Sequence, residues 1–318
     1  MIRMTRKLPK QNGAYWKKRI KAEQKYMEQA TNIPELKKYY QQAMDEIQEK
    51  IDAEYARLDK LGFNARDVKQ TDIRRYEQEA KEAVAQANRI RKELGRNARR
   101  SDFTDEVNDR LTIYNATMRI NRLEYLKSRS ALSLVKAGVK VIGKMTAQLF
   151  SKYINEFKRQ AGILGRTFQH MGADRIIKHV LAQTDGATFS ERVWKNTDEL
   201  KARLDVLLTN NQIQGNNSDV IARRLRDLVS DQFANQAQYV TERLARTEST
   251  RLIGEAQKES YKKYGIKLVK WIAESSACDF CEDIAHGGKG GDGVYKLKNI
   301  PAYPQHPNCM CSLAAYEE

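Results

Sequence analysis

Apolar side chains recur every three or four residues through most of this 318-residue chain. The clearest series lies between Pro34 and Lys60 and consists of Leu36, Tyr39, Tyr40, Met44, Ile47, Ile51, Tyr55 and Leu58. This spacing places apolar groups on one face of a helix. Only 5 prolines and 17 glycines are present to interrupt such helices. The chain is therefore predicted to fold mainly into long amphipathic helices.

The predicted fold class follows from further helices and from one change of pattern. Similar spacing predicts helices over residues 130–160 and 235–264, and a polar helix and a further helical stretch are predicted over residues 70–94 and 104–127. Gly95 and Gly265 follow two of them, in a position that favours a left-handed residue. Only after Gly265 do short strands become the better prediction, at residues 266–272 and 294–297. The fold class is predicted to be mainly α, with long amphipathic helices followed by a small C-terminal α+β module.

The chain is basic, with 57 lysines and arginines, 41 acidic residues and a net charge of +16. This excess favours a polyanionic partner, above all nucleic acid, although solvated helices also carry many lysines. The candidate phosphate-binding residues are Lys17, Lys18, Arg19, Arg96, Arg99, Arg100, Lys136, Lys140, Lys144 and Lys152. The last four form a row on one helix face, which either stays in water or meets phosphates or acidic partners. The final 41 residues carry three lysines against six acidic residues, so DNA affinity is predicted to reside upstream of them.

The first 30 residues are predicted to be a basic N-terminal arm. Its aromatic pair Tyr15-Trp16 is costly to leave in water, which favours an arm that docks on a surface. The arm lacks the apolar stretch of a secretory signal, and no run of 18 apolar residues occurs elsewhere. We therefore predict no membrane span, and expect a protein that is made and used in a cytosol.

All four cysteines lie in the last 41 residues and are accompanied by a histidine. A C-x2-C pair and a second pair across a loop can converge on one tetrahedral metal ion. Five candidates compete for its four positions: Cys278, Cys281, His306, Cys309 and Cys311. Their spacing does not choose between four thiolates and three thiolates with one imidazole. Because the set contains no carboxylate, it favours structural Zn²⁺ over an open catalytic ion.

Reduced buried thiols and disulfides are the alternatives to a metal site. Cytosolic thiols stay reduced, which places disulfides last. The module at 266–318 has few large apolar groups and is predicted to bury too little surface to hold itself together. Structural zinc can add on the order of 10 kcal/mol of binding energy coupled to folding. We therefore expect the module to be knit by zinc.

Catalytic motifs are missing from the sequence: no Ser/His/Asp order, HExxH or Walker motif occurs. Glu248 is a conceivable general base for a metal-bound water, but it also stands one helical turn before Arg251 and is predicted to pair with it. The glycine-rich loop at 286–293 lacks the strand-then-helix context of a phosphate cradle and is predicted to be a flexible connection, with His286 exposed. The chain is predicted not to be an enzyme.

An ordered set of short motifs occupies the C-terminal part of the chain. It comprises Ala245-Arg246-Thr247-Glu248, Tyr264-Gly265, Trp271, Cys278 with Cys281, Pro301 with Pro304, and His306-Pro307-Asn308-Cys309-Met310-Cys311. This order resembles the C-terminal pattern of the Mu F-like head-morphogenesis, or minor head, proteins of tailed bacteriophages. The resemblance covers roughly residues 187–318, and Tyr15-Trp16-Lys17-Lys18-Arg19 also resembles the opening of some family variants. Met310 departs from the family, which usually has Arg there, and this puts in doubt any anion contact attributed to that Arg.

The resemblance implies a domain organisation and a function. It implies a head-morphogenesis domain at 187–318, preceded by an elongated helical region at 31–186 and the arm at 1–30. It also implies a virion protein present in a few copies inside the capsid, which is made in the host cytoplasm and acts in capsid assembly. Its implied partners are the portal protein, capsid or scaffolding proteins and, without sequence preference, double-stranded DNA that it helps to package or deliver. Two alternatives stay open: a zinc-dependent hydrolase or nuclease acting on DNA, and an assembly factor that contacts only proteins.

Overall fold

The computed structural model describes residues 11–61, 68–118, 121–168, 171–213, 229 and 234–317. Their α-helices are α1 (Gly13–Ala30), α2 (Leu36–Leu61), α3 (Gln70–Leu94), α4 (Glu106–Thr117), α5 (Arg122–Ile163), α6 (Ala173–Val180), α7 (Phe189–Ile213), α8 (Ala234–Lys263) and α9 (Asp279–Ala285). The strands are β1 (Leu268–Ile272), β2 (Val294–Lys296) and β3 (Ser312–Tyr316). A mainly helical chain with a small C-terminal α+β module is thus confirmed. None of the described helices is long and apolar enough to cross a membrane.

The apolar periodicity predicted several helices and their ends. In α2, the residues Leu36, Ile47 and Ile51 are fully buried, as expected for one apolar face. Gly95 ends α3 with φ of 55°, and Gly265 follows α8 with φ of 75°. Side chains other than glycine rarely adopt these angles, so each glycine ends its helix without strain.

The single helix predicted over residues 104–127 is wrong. A π-helical turn at Ser101–Asp105 leads into α4, which ends at Thr117, and α5 begins only at Arg122. The Glu124 amide donates a hydrogen bond of 3.0 Å to Asn121 Oδ1, so the Asn121 side chain caps the first turn of α5. This cap starts a new helix at a place where apolar spacing alone shows no break.

Two compact units are built from separate stretches of sequence. We call Met1–Ile33, Ala147–Ala182 and Glu242–Glu318 together the sheet unit, and Pro34–Thr146 with Gln183–Thr241 the helical unit. The boundary between the units falls inside α5 and inside α8, because one long helix can contribute side chains to two cores.

The predicted organisation divided the chain differently. It cut the sequence into consecutive segments, an arm at 1–30, a helical region at 31–186 and a domain at 187–318, and such segments do not coincide with the two units. The first ten residues of the predicted arm lie outside the described residues. The rest of the arm contains the whole of α1, which belongs to the sheet unit.

The helical unit combines close helix packing with buried ion pairs. A methyl group at Gly143 would meet Ile90 Cγ2 at 2.4 Å, so this glycine lets α5 lie close against α3. The Arg122 side chain is 5% exposed and pairs with Glu54 and with Asp72, whose Oδ2 lies 3.1 Å from Arg122 Nη1. Burial alone would raise the pKa of Asp72, but hydrogen bonds from Arg57, the Lys69 amide and Arg122 lower it below its ordinary value.

The sheet unit contains a three-stranded antiparallel sheet in the order β2-β1-β3. Its apolar core includes Val269, Trp271 and Leu313 and the helix residue Tyr261, all at most 1% exposed. The Tyr261 hydroxyl donates to the Leu313 carbonyl at 3.1 Å. Two elements of this unit, β3 and α9, are absent from the sequence prediction. Four of the five β3 residues are buried, so this strand lacks the alternation that marks a half-exposed strand.

Helix α1 packs against the sheet within the same unit. Trp16 stacks on Tyr316 with ring centroids 5.5 Å apart, and Gln24 Nε2 donates to the Ala273 carbonyl at 2.9 Å. Glu23 is fully buried and accepts two hydrogen bonds of 2.7 Å from the Arg159 guanidinium. Trp16, one of the aromatic pair predicted to dock the arm on a surface, thus meets the sheet of its own chain.

Candidate metal centre

The first two ligand candidates lie at the start of α9. Cys278 is the N-cap of this helix, and its carbonyl accepts hydrogen bonds from the Cys281 amide at 2.9 Å and the Glu282 amide at 3.0 Å. These bonds curl the chain so that two thiols three residues apart lie on the same side. Cys278 is exposed, whereas Cys281 is fully buried. The tight turn expected of the C-x2-C pair is therefore the first turn of a helix.

The other three candidates lie in the turn that leads into β3. The Cys309 amide donates to the His306 carbonyl at 3.3 Å, and Asn308 has φ of 74°. Asparagine is one of the few residues that tolerate this left-handed conformation. Cys311 immediately precedes β3, and Cys309 and Cys311 are both fully buried.

The five candidates form two overlapping groups that share Cys281. One group is Cys278, Cys281 and His306, and the other is Cys281, Cys309 and Cys311; within each group the ligand atoms lie within 4.8 Å of one another. His306 Nε2 lies 3.3 Å from Cys278 Sγ and 3.3 Å from Cys281 Sγ. This cluster can hold a metal ion. A tetrahedral ion bound by Cys281 would take its other ligands from the remaining four candidates.

The tautomer of His306 suits metal binding. Its Nδ1 lies 2.9 Å from the Pro307 carbonyl oxygen, which can only accept a hydrogen bond. Nδ1 therefore carries the proton and leaves the Nε2 lone pair facing the thiols. The four cysteines are free thiols in this structure.

The protonation of the thiols is strongly coupled. A hydrogen bond from Cys311, opposed by burial, lowers the pKa of the Cys309 thiol to about 6. Burial and the negative charge of Cys309 raise the pKa of Cys281 to about 12. The hydrogen bond to Cys309 and burial also raise the pKa of Cys311. One thiolate thus forces its neighbours to keep their protons, whereas a divalent cation would displace those protons and hold several thiolates together.

Residues of the family-like motif on α8 support the turn that carries the ligands. The Asn308 amide donates to Thr247 Oγ1 at 2.9 Å, and Arg246 Nη1 donates to Asn308 Oδ1 at 3.2 Å. Both contacts fix the residue that lies between His306 and Cys309. Such contacts to the residues around a ligand set orient the ligands and tune their affinity for the metal.

Glu248, the third motif residue, is 2% exposed, and its Oε2 lies 2.9 Å from Arg251 Nε. The ion pair predicted between these residues is confirmed. The carboxylate that was a conceivable general base is therefore already engaged by a buried guanidinium.

Two further residues support the centre and were missed from sequence. Glu274 Oε1 accepts a hydrogen bond of 2.9 Å from the Met310 amide, between Cys309 and Cys311. The Tyr303 hydroxyl donates to the Cys311 carbonyl. A methyl group at Gly254 would lie 2.0 Å from the Tyr303 ring, so α8 must carry glycine there. The only available signal was the Pro301/Pro304 pair flanking Tyr303, and it did not indicate a hydrogen bond to the ligand segment.

The predicted phosphate-binding residues have different surroundings. Most of the lysine row is engaged within the helical unit: Lys144 pairs with Glu35 at 2.9 Å, Lys136 with Glu82 at 3.6 Å, and Lys140 Nζ lies 3.5 Å from Gln42 Oε1. In the sheet unit, Lys152 donates to Ser249 Oγ at 3.1 Å and Arg19 pairs with Glu23 at 2.6 Å. The row therefore meets acidic and polar groups of its own chain. Five candidates are exposed: Lys17, Lys18, Arg96, Arg99 and Arg100.

His286 and His179, the other two histidines that the structure describes, differ in their contacts. His286 is 77% exposed, in agreement with the prediction, and its Nδ1 lies 2.9 Å from the Glu282 carbonyl oxygen. His179 of α6 stacks on Tyr153 and contacts two carboxylates of α8, with Nδ1 2.7 Å from Glu255 Oε2 and Nε2 3.3 Å from Glu259 Oε2. This contact joins residues more than 70 positions apart, and nothing in the sequence pairs them.

Comparisons of the chain with models of protein families, with curated proteins and with solved structures found no match.

Proposed function

We propose that this chain is a minor head protein of a tailed bacteriophage. In this proposal it acts in head morphogenesis inside the capsid, associated with the portal protein, capsid or scaffolding proteins and packaged double-stranded DNA. Its role is structural and not enzymatic, and its sheet unit contains a zinc-stabilised module. The protein is made in the host cytoplasm and incorporated into the virion.

The contact between two distant pieces of the family-like motif carries this proposal. Arg246 and Thr247 lie about sixty positions before Asn308, yet their side chains hold its amide and its side-chain oxygen. Two of the ordered motifs therefore meet at one place in the sheet unit. This agreement between motif order and spatial arrangement supports the resemblance to minor head proteins.

The donor set of the centre supports structural zinc. It consists of soft thiolates and one imidazole, and neither group of candidates contains a carboxylate. Zinc bound by four such ligands is closed to substrate and stabilises a fold. When bound, the ion would cross-link α9 to the segment before β3 and contribute on the order of 10 kcal/mol to folding of that region. Cys281 would hold it at the centre of the cluster.

The surroundings of the candidate bases argue against hydrolysis. The Glu248 carboxylate is buried against Arg251, and His286 is exposed with one ring nitrogen on a backbone carbonyl. A general base must reach the proton that it removes, and these contacts engage both groups elsewhere. The prediction that the chain is not an enzyme is retained as part of the proposal.

Mass spectrometry of purified virions tests the proposal most directly. Particles of the phage whose genome carries this coding sequence should contain a few copies of the chain. Co-expression with the portal protein of the same genome should yield a complex that survives affinity purification. Presence of the chain in infected-cell lysate but not in virions would overturn the proposed location, and DNA cleavage by the zinc-loaded protein that Glu248→Gln abolishes would overturn the structural role.

A further inference from the structure

A cleft of about 1350 Å³ lies within the sheet unit. None of the residues that line it belongs to the thiol cluster. Its walls come from α6, from the second half of α8, and from the ends of β1 and β2 with the segments beside them. Six lysines line it: Lys258, Lys262, Lys267, Lys289, Lys296 and Lys298. Arg175 adds a seventh cation, against two carboxylates. The cleft is therefore a strongly basic concave surface.

Backbone geometry gathers these lysines from three separate stretches. Lys258 and Lys262 are four residues apart on α8, so their side chains extend from the same helix face. On the sheet, Lys296 stands opposite Leu268, and the Leu297 amide donates to the Lys267 carbonyl at 2.9 Å. This pairing places Lys267, Lys296 and Lys298 together at the end of the edge strand β2. The final 41 residues have a net negative charge. The fold nevertheless brings their lysines next to Lys258 and Lys262 of α8 and to Lys267, which precedes β1.

The two acidic residues of the cleft are already paired, and one of them engages Arg175, the seventh cation. Glu255 contacts His179 at 2.7 Å and Arg251 at 2.8 Å. Glu259 pairs with Arg175 and accepts a hydrogen bond from the Tyr153 hydroxyl. By contrast, Lys262, Lys267, Lys296 and Lys298 have no ion-pair partner in the part of the chain that the structure describes, and all four are exposed. Their charge is available to a ligand.

We propose that this cleft binds the phosphodiester backbone of double-stranded DNA. The proposal deepens the proposed function, on which it rests, by assigning the DNA contact to a surface. The lysine ammonium is a point charge and lacks the planar, bidentate geometry of the arginine guanidinium. It therefore suits contacts with successive phosphates that do not read the bases. An acidic protein segment is the other candidate occupant, but the chain's net charge of +16 and the dispersed lysines fit an evenly charged polymer better.

Binding of a mixed-sequence duplex by the full-length, metal-containing chain tests the proposal. The variant is Lys262→Gln/Lys267→Gln/Lys298→Gln, and its matched control is Lys37→Gln/Lys38→Gln/Lys81→Gln, which removes three exposed lysines of the helical unit. The cleft variant should lose about tenfold or more in affinity, and the slope of log K against log salt should fall by roughly 2 to 3. The control should lose much less, and the Lys→Arg version of the cleft variant should bind like wild type because charge is retained.

Three outcomes overturn the proposal and separate it from the proposed function. Unchanged affinity in the cleft variant, with loss in Lys17→Gln/Lys18→Gln, places the DNA contact on α1 and leaves the proposed function standing. If wild-type protein shows no salt-dependent DNA binding, both the cleft assignment and the DNA association fail. If polyglutamate binds wild type more tightly than DNA and loses affinity in the cleft variant, the cleft is a site for acidic protein.

Discussion

Both units enclose buried ion pairs, such as Arg159 with Glu23 in the sheet unit, but all four cysteines lie in the sheet unit. In the helical unit, amphipathic helices bury a large apolar core and enclose complete ion pairs, such as Arg122 with Glu54 and Asp72. In the sheet unit, a small sheet shares its core with three buried thiols, and a fourth thiol with His306 lies beside them. From this comparison we expect apolar burial to suffice where helices are long, and a metal cross-link to add stability where the segments are short and glycine-rich.

The sheet is nevertheless not an isolated module. Tyr261 of α8 donates to the Leu313 carbonyl, and Trp16 and Gln24 of α1 contact β3 and the residue after β1. The expectation from sequence was that residues 266–318 bury too little surface to hold together without a metal. Because helices cover the sheet, we expect metal loss to loosen α9 and the ligand segments first and the sheet afterwards.

The largest effect that separates the units is expected from Cys281→Ser, since Cys281 belongs to both ligand groups. Metal content should fall from one equivalent to nearly none, with loss of up to about 10 kcal/mol of metal-coupled stability. Hydrogen exchange should rise in residues 266–317 and stay unchanged in α2 and α3. The control is His286→Ala, which changes an exposed histidine outside the cluster. Equal loosening of both units would contradict the distinction between them.

The next largest effect is expected from Arg122→Ala, which should destabilise the helical unit and leave the metal centre intact. This change leaves the Glu54 and Asp72 carboxylates buried without their shared cation, which should cost about 3–5 kcal/mol. Urea denaturation measures the loss, and metal content should stay at the wild-type level. Arg100→Ala removes an exposed ion pair and is the control; it should change stability by less than about 1 kcal/mol. Metal loss in Arg122→Ala would show that the units are not independent.

A smaller effect is expected from Thr247→Val, which removes the acceptor of the Asn308 amide. Loss of this hydrogen bond should cost about 1 kcal/mol and weaken metal binding about tenfold, as is typical of residues that orient ligands. Competition with a chromophoric chelator measures the affinity. Thr247→Ser keeps the hydroxyl and should restore it. Equal metal affinity in the valine and serine variants would contradict the supporting role assigned to α8.

The smallest expected effect is on the pH dependence of stability. Burial alone would raise the pKa of Glu255, but its bonds to His179 and Arg251 lower it below the ordinary 4.5. A lowered folded-state pKa gives stability that is present above the unfolded value and is lost as pH falls through the folded one. Between pH 7 and pH 3, wild type should therefore lose more stability in urea than Glu255→Gln. Glu93→Gln, at an exposed position, should match wild type, and identical pH profiles for all three proteins would refute the assignment.

The sequence predicted those parts of the fold that depend on local pattern. Apolar spacing predicted α2 and most of α5, and Gly95 and Gly265 marked helix ends because a left-handed residue fits there. It did not predict β3, whose residues are buried without alternation, or the break before α5, which an Asn121 side chain sets. It also could not group the chain into units, because they are assembled from contacts between distant segments.

The sequence predicted which residues form the candidate site, but it did not predict how they are arranged. Cysteine and histidine spacing gave all five ligand candidates, since chelation requires them close in sequence. The sharing of Cys281 by both groups, the Glu274 contact and the position of Tyr303 depend on tertiary structure. Basic spacing along α5 likewise predicted a lysine row but not its partners, such as Glu35 and Glu82. Charge patterns in sequence show how many cations exist, and the fold decides which of them remain available.

X-ray absorption at the zinc edge, together with metal analysis of the reduced protein purified without added metal, tests the central claim most directly. A structural ion in the Cys/His cluster predicts one zinc per chain, with sulfur neighbours at about 2.3 Å and, if His306 is a ligand, nitrogen at about 2.0 Å. A reduced chain that contains no metal, yet protects residues 266–317 from hydrogen exchange as well as a zinc-loaded sample does, would contradict it.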